Sequence, residues 1–339
     1  MQPITGAIRH YAWGSRRVIA AYQGRPVPSP EPEAELWFGT HPSAPSTVEG
    51  GGPVPGPLPY LLKLLAAAEP LSLQAHPDAA RAGERFAAGD PNYTDPAAKP
   101  ELLVAVDEFE ALCGFADPAR TAGRLRRWGV LPALVDVLDR SADPLRDAVA
   151  LLLDWPAADR AAAVASVAAA DPLSARLAAD YPDDPGVLVA LLLNHVRLAA
   201  GQAIFMPAGN LHCYLRGTGI EIMAASDNVL RGGLTPKRVD VPELLAVLRY
   251  EVLADPVVAP VNVSPGVVTW PVPVPDFALH RATVDGRPVP LDVPGASIAL
   301  CLVGEVTVDT LRLTHGHAAY GRPRTVAGHG TVYVASPGT

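Results

Sequence analysis

Between about residue 116 and residue 200 the texture of this 339-residue chain changes: Ala, Leu, Asp and Arg dominate, and apolar residues recur every three to four positions. The runs are Leu131 to Leu138, Leu145 to Leu153, Ala161 to Ala170 and Val187 to Leu198. That spacing gathers the apolar side chains of each run on one face of a helix. Asp143-Pro144, Asp171-Pro172 and Pro182-Asp183 separate the runs and offer N-caps, because aspartate accepts from free first-turn amides and proline has no amide to satisfy. A small bundle of four or five helices is expected here.

Either side of the block the chain reads differently. Up to about Phe115 it consists of short apolar runs punctuated by Pro and Gly, such as Leu36-Trp37-Phe38-Gly39, a texture of short antiparallel strands. Tyr60 to Leu65 could be a buried strand or a helix start, and the close bounds Pro59 and Pro70 favour strand. Asp78 can cap a short helix running to Ala88. Strand texture resumes at Gly201 and turns at Pro207-Ala208-Gly209-Asn210. A short helix from Glu243 to Leu248 then leads into Pro- and Val-rich strands up to Thr339, repeating every ~8–12 residues in the rhythm of a sandwich or barrel. The layout is therefore mainly β: residues 1–115 and 201–245 form one unit, 116–200 a helical insertion, and 246–339 a second β-unit.

A net charge of −8 argues against nucleic acid or an anionic membrane as partner. Cys113, Cys213 and Cys301 are odd in number and widely spaced, so neither a disulfide framework nor a thiolate zinc knuckle is expected. No signal-like segment and no run of about 18 apolar residues is present, and a cytoplasmic location is expected. The sequons at Asn92 and Asn262 are then chance matches.

On an extended strand Gln74 and His76 point to the same side and could share one ion. Glu101 and His212 offer further ligand atoms. Each also has an ordinary reading: a hydrogen-bonded polar pair, a solvated carboxylate, a histidine satisfying a turn. No local metal motif such as H-E-x-x-H joins them.

The surrounding words resemble class I mannose-6-phosphate isomerase, a zinc-dependent family. They are Tyr11-Ala12-Trp13-Gly14-Ser15, Glu35-Leu36-Trp37-Phe38-Gly39-Thr40-His41-Pro42, Leu71-Ser72-Leu73-Gln74-Ala75-His76-Pro77-Asp78, Lys99-Pro100-Glu101, Phe109-Glu110-Ala111-Leu112-Cys113-Gly114-Phe115, and the stretch from Gly219 to Lys237. Six words in the family's order are a strong match, and they span most of the chain.

The resemblance implies a cupin catalytic domain with a helical domain inserted and a second cupin-like domain at the C-terminus. It implies one zinc ion per chain, held by Gln74, His76, Glu101 and His212, a donor set that suits zinc and leaves it an electrophile. The family reaction interconverts mannose 6-phosphate and fructose 6-phosphate through an enediol. Such chemistry needs oxyanion stabilisation, a base near the carbon-bound proton, and cations for the phosphate. The family pattern puts Ser72, Lys63, Lys99, Glu221, Asp227, Arg231 and Lys237 around the pocket. Arg231 would grip the phosphate or the enediolate, and Ser72, Lys63 and Lys237 would contact phosphate. Lys99 ranks slightly ahead of Asp227 and Glu221 as base. A phosphorylated hexose is the expected partner, and a monomer is favoured.

Alternatives at this stage are a cupin isomerase of another sugar phosphate and a non-catalytic sugar-binding or regulatory cupin. One departure stands out: many family members read His-Lys-Pro-Glu where this chain has Ala98-Lys99-Pro100-Glu101, so no histidine role carries over to position 98. Cys213, next to His212, faces the other way on a strand and reads as core, and His315-Gly316-His317 reads as surface.

Overall fold

The computed structural model describes residues 1–338 and is mainly β, with two eleven-stranded antiparallel sheets and a helical insertion. One sheet carries, in spatial order, Val257–Val258, Ala203–Met206, Glu101–Ala105, His212–Ala224, Tyr60–Ala67, Glu35–Gly39 and Ala7–Arg9. Leu73–Ala75, Leu230–Gly233, Phe109–Phe115 and Leu193–Leu198 complete it.

The long strand His212–Ala224 ties the two halves of that sheet together. Its first residues pair with Gln74 and with Phe109–Phe115, and the rest pairs with Tyr60–Ala67 and Glu101–Ala105. The corner lies at Gly217, whose φ is +130° and where a Cβ would meet the Glu108 carbonyl oxygen at 2.7 Å. Only glycine accepts both that backbone angle and that approach. The bend folds the sheet back on itself and brings His212 over the strands that carry Gln74 and Glu101.

Alternation along the strands sorts residues between two environments. Leu62, Leu64, Leu102, Val104, Ile220 and Ile222 pack into one core with Trp270, Leu279, Leu300 and Tyr333 of the C-terminal sheet. Each such side chain contributes about 1.5–3 kcal/mol by leaving water. The opposite face carries Glu35, Lys63, Glu221 and Glu101, which become the functional site. Both faces of Tyr60–Ala67 are covered, and all eight of its residues are buried, which accounts for its nearly unbroken apolar run.

The insertion contains six α-helices rather than four or five: Pro118–Trp128, Pro132–Arg140, Pro144–Leu153, Ala157–Ala168, Pro172–Asp180 and Pro185–Val189. Asp117, Asp171 and Asp184 accept from first-turn amides, whereas Asp143 makes no such bond. The expected helix Val187 to Leu198 is corrected. Helical backbone ends at Leu192, and Leu193–Leu198 is a strand paired with Phe109–Phe115. A free sheet edge won over a short apolar run whose periodicity fits either state. The Asn194 amide fastens this junction by donating to the carbonyls of Cys113, Phe115 and Leu253.

The expected unit boundaries also shift. Gln2–Thr5 pairs with Ala318–Gly321 and with Thr47–Val48, so parts of the first 115 residues complete the C-terminal sheet. Conversely, Val257–Val258, beyond residue 245, pairs with Ala203 and Ile204 in the first sheet. Asp78 caps the helix Ala79–Ala87 as expected, its Oδ1 accepting from the Arg81 amide at 2.8 Å. Cys113, Cys213 and Cys301 are buried free thiols. His315 and His317 are exposed. No described helix is long and apolar enough to cross a membrane.

Candidate active site

Three strands and a turn deliver the central cluster. Cα register sets His212 opposite Gln74 and Glu101 opposite Met206, and His76 follows the Leu73–Ala75 strand directly. The Glu101 Oε2 atom lies 3.4 Å from His76 Nε2 and 3.2 Å from His212 Nε2. The Gln74 amide end is 3.3 Å from His212 Nε2.

Backbone partners fix how the two rings present themselves. His76 Nδ1 is 2.8 Å from the Asn228 carbonyl and His212 Nδ1 is 3.0 Å from the Asn210 carbonyl. A carbonyl only accepts, so each Nδ1 carries a hydrogen, and in the neutral ring Nε2 turns its lone pair inward. Burial pushes the His76 imidazole down to about 4, which keeps it neutral. For the Glu101 carboxyl, burial alone works upward, but the opposing influences, the Lys99 cation first, hold it well below the usual range. His76 Nε2 and Glu101 Oε2 are both fully buried without a hydrogen-bond partner. The Nε2 atoms of the two rings and a carboxylate oxygen thus converge, His76 Nε2 and Glu101 Oε2 without a hydrogen-bond partner, an arrangement that a cation satisfies. The residues therefore fit a metal ion, and rotation of the Gln74 amide would add an oxygen donor.

Beside this cluster runs a second buried array. Lys63 Nζ lies 2.8 Å from Glu221 Oε2 and 3.6 Å from Glu35 Oε1. Tyr214 donates its hydroxyl to Glu221 Oε1 at 2.7 Å, and the Trp37 indole donates to Glu35 Oε2 at 2.7 Å. Burial alone would lower the Lys63 pKa, yet Glu221 and Glu35 outweigh it and raise it. Burial raises that of Glu35. Lys63, expected as a phosphate contact, is instead committed to two carboxylates.

Both arrays open on a cavity of about 910 Å³. Gln74, Glu101, Lys63, Glu221 and Lys99 line its inner part, and Ser72, Asp227, Arg231 and Lys237 also border it. His76 and His212 are 1% and 0% exposed and reach the cluster from beneath. Lys99 Nζ sits 3.0 Å from Glu101 Oε1. Arg231, opposite Gln74 in the strand register, is half-buried and has no hydrogen-bond or ion-pair partner among the described residues. Burial lowers its pKa from the ordinary arginine value, as expected of a guanidinium partly stripped of water with no carboxylate beside it. The stacked rings of Tyr11 and Trp13, 5.6 Å apart, and Asp180 and Tyr181 from the helical insertion supply further wall.

Several contributors carried no role in the sequence reading. Glu35, Trp37 and Tyr214 hold the Lys63–Glu221 pair. Asn228 donates its amide to the carbonyls of Asp95 and Ala97, linking the loop before Lys99 to the backbone that orients His76. His41 stands 3.3 Å from Asp227 Oδ2. A period-2 reading of Glu35 and Trp37 would have found those two. Cys213 turns away from the cluster into the core beside the helical insertion.

A model of the phosphomannose isomerase type I catalytic domain matches residues 1–53 and 51–117. Mannose-6-phosphate isomerase of Escherichia coli strain K12 is 34% identical over 97% of this chain and 98% of its own. Mannose-6-phosphate isomerase 1 of Arabidopsis thaliana is 29% identical over 90% and 84%. The crystal structure of the Salmonella typhimurium mannose 6-phosphate isomerase bound to substrate (fructose 6-phosphate) and a zinc atom superposes over 100% of both chains, with a TM-score of 0.91 at 32% identity. Identity of this order along almost the whole of both chains, on the same fold, settles kinship: the chain belongs to the type I phosphomannose isomerase family.

Proposed function

We propose that this cavity interconverts mannose 6-phosphate and fructose 6-phosphate through an enediol, with zinc held by Gln74, His76, Glu101 and His212. The observation that carries the reading is the pairing of two features in one cavity. Buried polar atoms converge without a hydrogen-bond partner, and beside them Arg231 stands without a carboxylate partner among the described residues. When bound, zinc supplies a Lewis acid that lowers the free energy of negative charge on a sugar oxygen.

The chain's own groups divide the remaining work. Ser72 and the exposed Lys237 hold the phosphate near the rim, and half-buried Arg231 faces the oxygen on which charge develops. Asp227 takes the proton from C2 and returns it to C1, reversing for the other direction. It is preferred to Glu221, whose two oxygens are occupied by Lys63 and Tyr214, and to Lys99, which is paired with Glu101. Lys99 exchanges a proton with the sugar oxygens, so that the hydroxyl and carbonyl change places as the carbon proton moves. The paired Lys63–Glu221 array fixes the floor of the cavity against which the sugar lies.

The same reading takes the first sheet as a cupin barrel, interrupted by the helical insertion and followed by a cupin-like C-terminal domain. The antiparallel pairing throughout and the fold-back at Gly217 support it. It also takes the protein as a monomer and as cytoplasmic, the location being supported by the three buried free thiols.

A coupled assay of the purified protein on mannose 6-phosphate against a panel of sugar phosphates tests the function. Faster turnover of a different aldose phosphate would replace the substrate, and binding without turnover of any would replace the enzyme by a sugar-phosphate receptor.

A further inference from the structure

His41 is 5% exposed and sits at the end of the strand Glu35–Gly39, packed edge-on against Trp37 with centroids 5.1 Å apart and an interplanar angle of 79°. Its Nδ1 is 2.9 Å from the Ser43 hydroxyl and accepts from the Ser43 backbone N–H at 3.4 Å. A backbone N–H only donates, so Nδ1 holds the lone pair. The neutral ring then carries its hydrogen on Nε2, which is 3.3 Å from Asp227 Oδ2.

Asp227 is held on a second side as well. Its backbone N–H donates to Asp95 Oδ2 at 2.9 Å. Its side chain is 46% exposed, and among the described residues no donor reaches Oδ1. One carboxylate oxygen thus lies against a buried ring, at a polar contact of 3.3 Å that is not aligned as a hydrogen bond, and the other is left to the cavity. A half-exposed aspartate without such a neighbour would rotate freely into water, and proton transfer at carbon needs a base held within a few tenths of an ångström.

We infer that His41 is the positioning residue of Asp227, a neutral imidazole whose Nε2–H orients the carboxylate that carries the carbon-bound proton. The inference rests on Asp227 being the base. Burial, the largest influence on the ring, lowers the His41 pKa, and Asp227 only partly opposes it, in keeping with a neutral donor. No charge has to reside on His41 for the role. This histidine lies 186 positions from the carboxylate it orients, the subtraction of 41 from 227.

The test compares His41→Ala, His41→Asn and His41→Gln with Asp227→Asn in the zinc-loaded enzyme. A glutamine amide nitrogen reaches the Nε2 position, and an asparagine amide nitrogen reaches only the Nδ1 position. The Ala and Asn variants are expected to lose roughly 10–100-fold in kcat with KM little changed, and the Gln variant to recover most of the loss. Equal losses in all three would make His41 a packing residue, and wild-type kcat in all three would remove any role; either overturns the inference. The double variant His41→Ala/Asp227→Asn is expected to be no slower than Asp227→Asn alone, because the histidine acts through the carboxylate. A further loss in the double variant would overturn the inference. Wild-type turnover in Asp227→Asn would instead overturn the assignment of the base, whatever the His41 variants do. Zinc content, measured on each protein, is expected to be unchanged and excludes a collapsed metal cluster as the cause.

Discussion

Glu101 Oε2 faces His76 Nε2 at 3.4 Å, both atoms fully buried and neither with a hydrogen-bond partner. Two lone-pair-bearing atoms in that relation repel unless a cation joins them. Purified protein is therefore expected to hold about one zinc per chain and to lose turnover on chelation. Stability should fall with it, because an ion bound by the folded chain at about 1,000 times its dissociation constant adds about 4 kcal/mol. Metal analysis with thermal unfolding of the loaded and stripped forms checks both; full activity in the metal-free protein would refute the zinc reading.

Lys63 is expected to behave as a keystone rather than as a phosphate contact. Replacing it by Met leaves Glu35 and Glu221 buried and facing each other without their shared cation, a change of the kind that costs about 3–5 kcal/mol. Denaturant unfolding should show that loss, together with a fall in kcat. A stable Lys63→Met protein whose only defect is a raised KM would restore the phosphate role.

Most of the candidate site came from the family resemblance, and strand periodicity alone, being short-range, reached only the Gln74 and His76 pair. Gln74 and His76 could be placed together from two residues of spacing, and Asp78 could be named as a cap from its position alone. What stayed hidden depends on closure over long distances. The His41–Asp227 contact and the Asn228 link to residues 95–97 exist because the strands Glu35–Gly39, Tyr60–Ala67, His212–Ala224 and Glu101–Ala105 pair side by side and bring the loops at one end together. The strand at Leu193–Leu198 was misread for a related reason. Its short apolar run fits helix or strand, and the choice was made by an unpaired edge at Phe109–Phe115 that no local pattern reveals. Exchange of Gln2–Thr5 into the C-terminal sheet is likewise a property of edges meeting in space.

Arg231 has no partner among the described residues, so its removal strands no internal charge and the fold should tolerate it. Arg231→Ala is expected to lower kcat by about 10²–10³, the scale of losing one charge-stabilising donor, while zinc content and unfolding midpoint stay near wild type. Arg231→Lys should recover little, because a point charge cannot reproduce a bidentate guanidinium. Wild-type kinetics in the alanine variant would remove the residue from the site.

Glu243 pins the helix Ala79–Ala87 to the helix Val241–Val247 through a bidentate bond with Arg81, and the Tyr93 hydroxyl donates to the same carboxylate. Burial alone would raise its pKa, but Arg81 and Tyr93 outweigh that and depress it. A carboxyl depressed in the folded state contributes stability above its unfolded value of about 4.3, and that contribution is lost as pH falls through the folded value. Glu243→Gln is therefore expected to cost about 2 kcal/mol at pH 7 and progressively less below about pH 4. Unfolding free energies of the two proteins across that range test it; a gap that widened on acidification would contradict the assigned sign.

Deuterium placed at C2 of mannose 6-phosphate reports directly on the base. If Asp227 carries the label, its fate is set by competition between return to C1 and exchange with water. The carboxylate is 46% exposed, with one oxygen open to a wide cavity, so exchange has time to compete. Fructose 6-phosphate formed in ordinary water should therefore retain only part of the label at C1, and the retained fraction should rise in variants that narrow the cavity mouth at Tyr11 or Tyr181. A buried base such as Glu221, 2% exposed and bonded at both oxygens, would shield the proton and favour high retention. Complete retention, independent of those mouth substitutions, would mean that the hydrogen moves between the carbons as hydride, and no residue of this chain would then act as base at carbon.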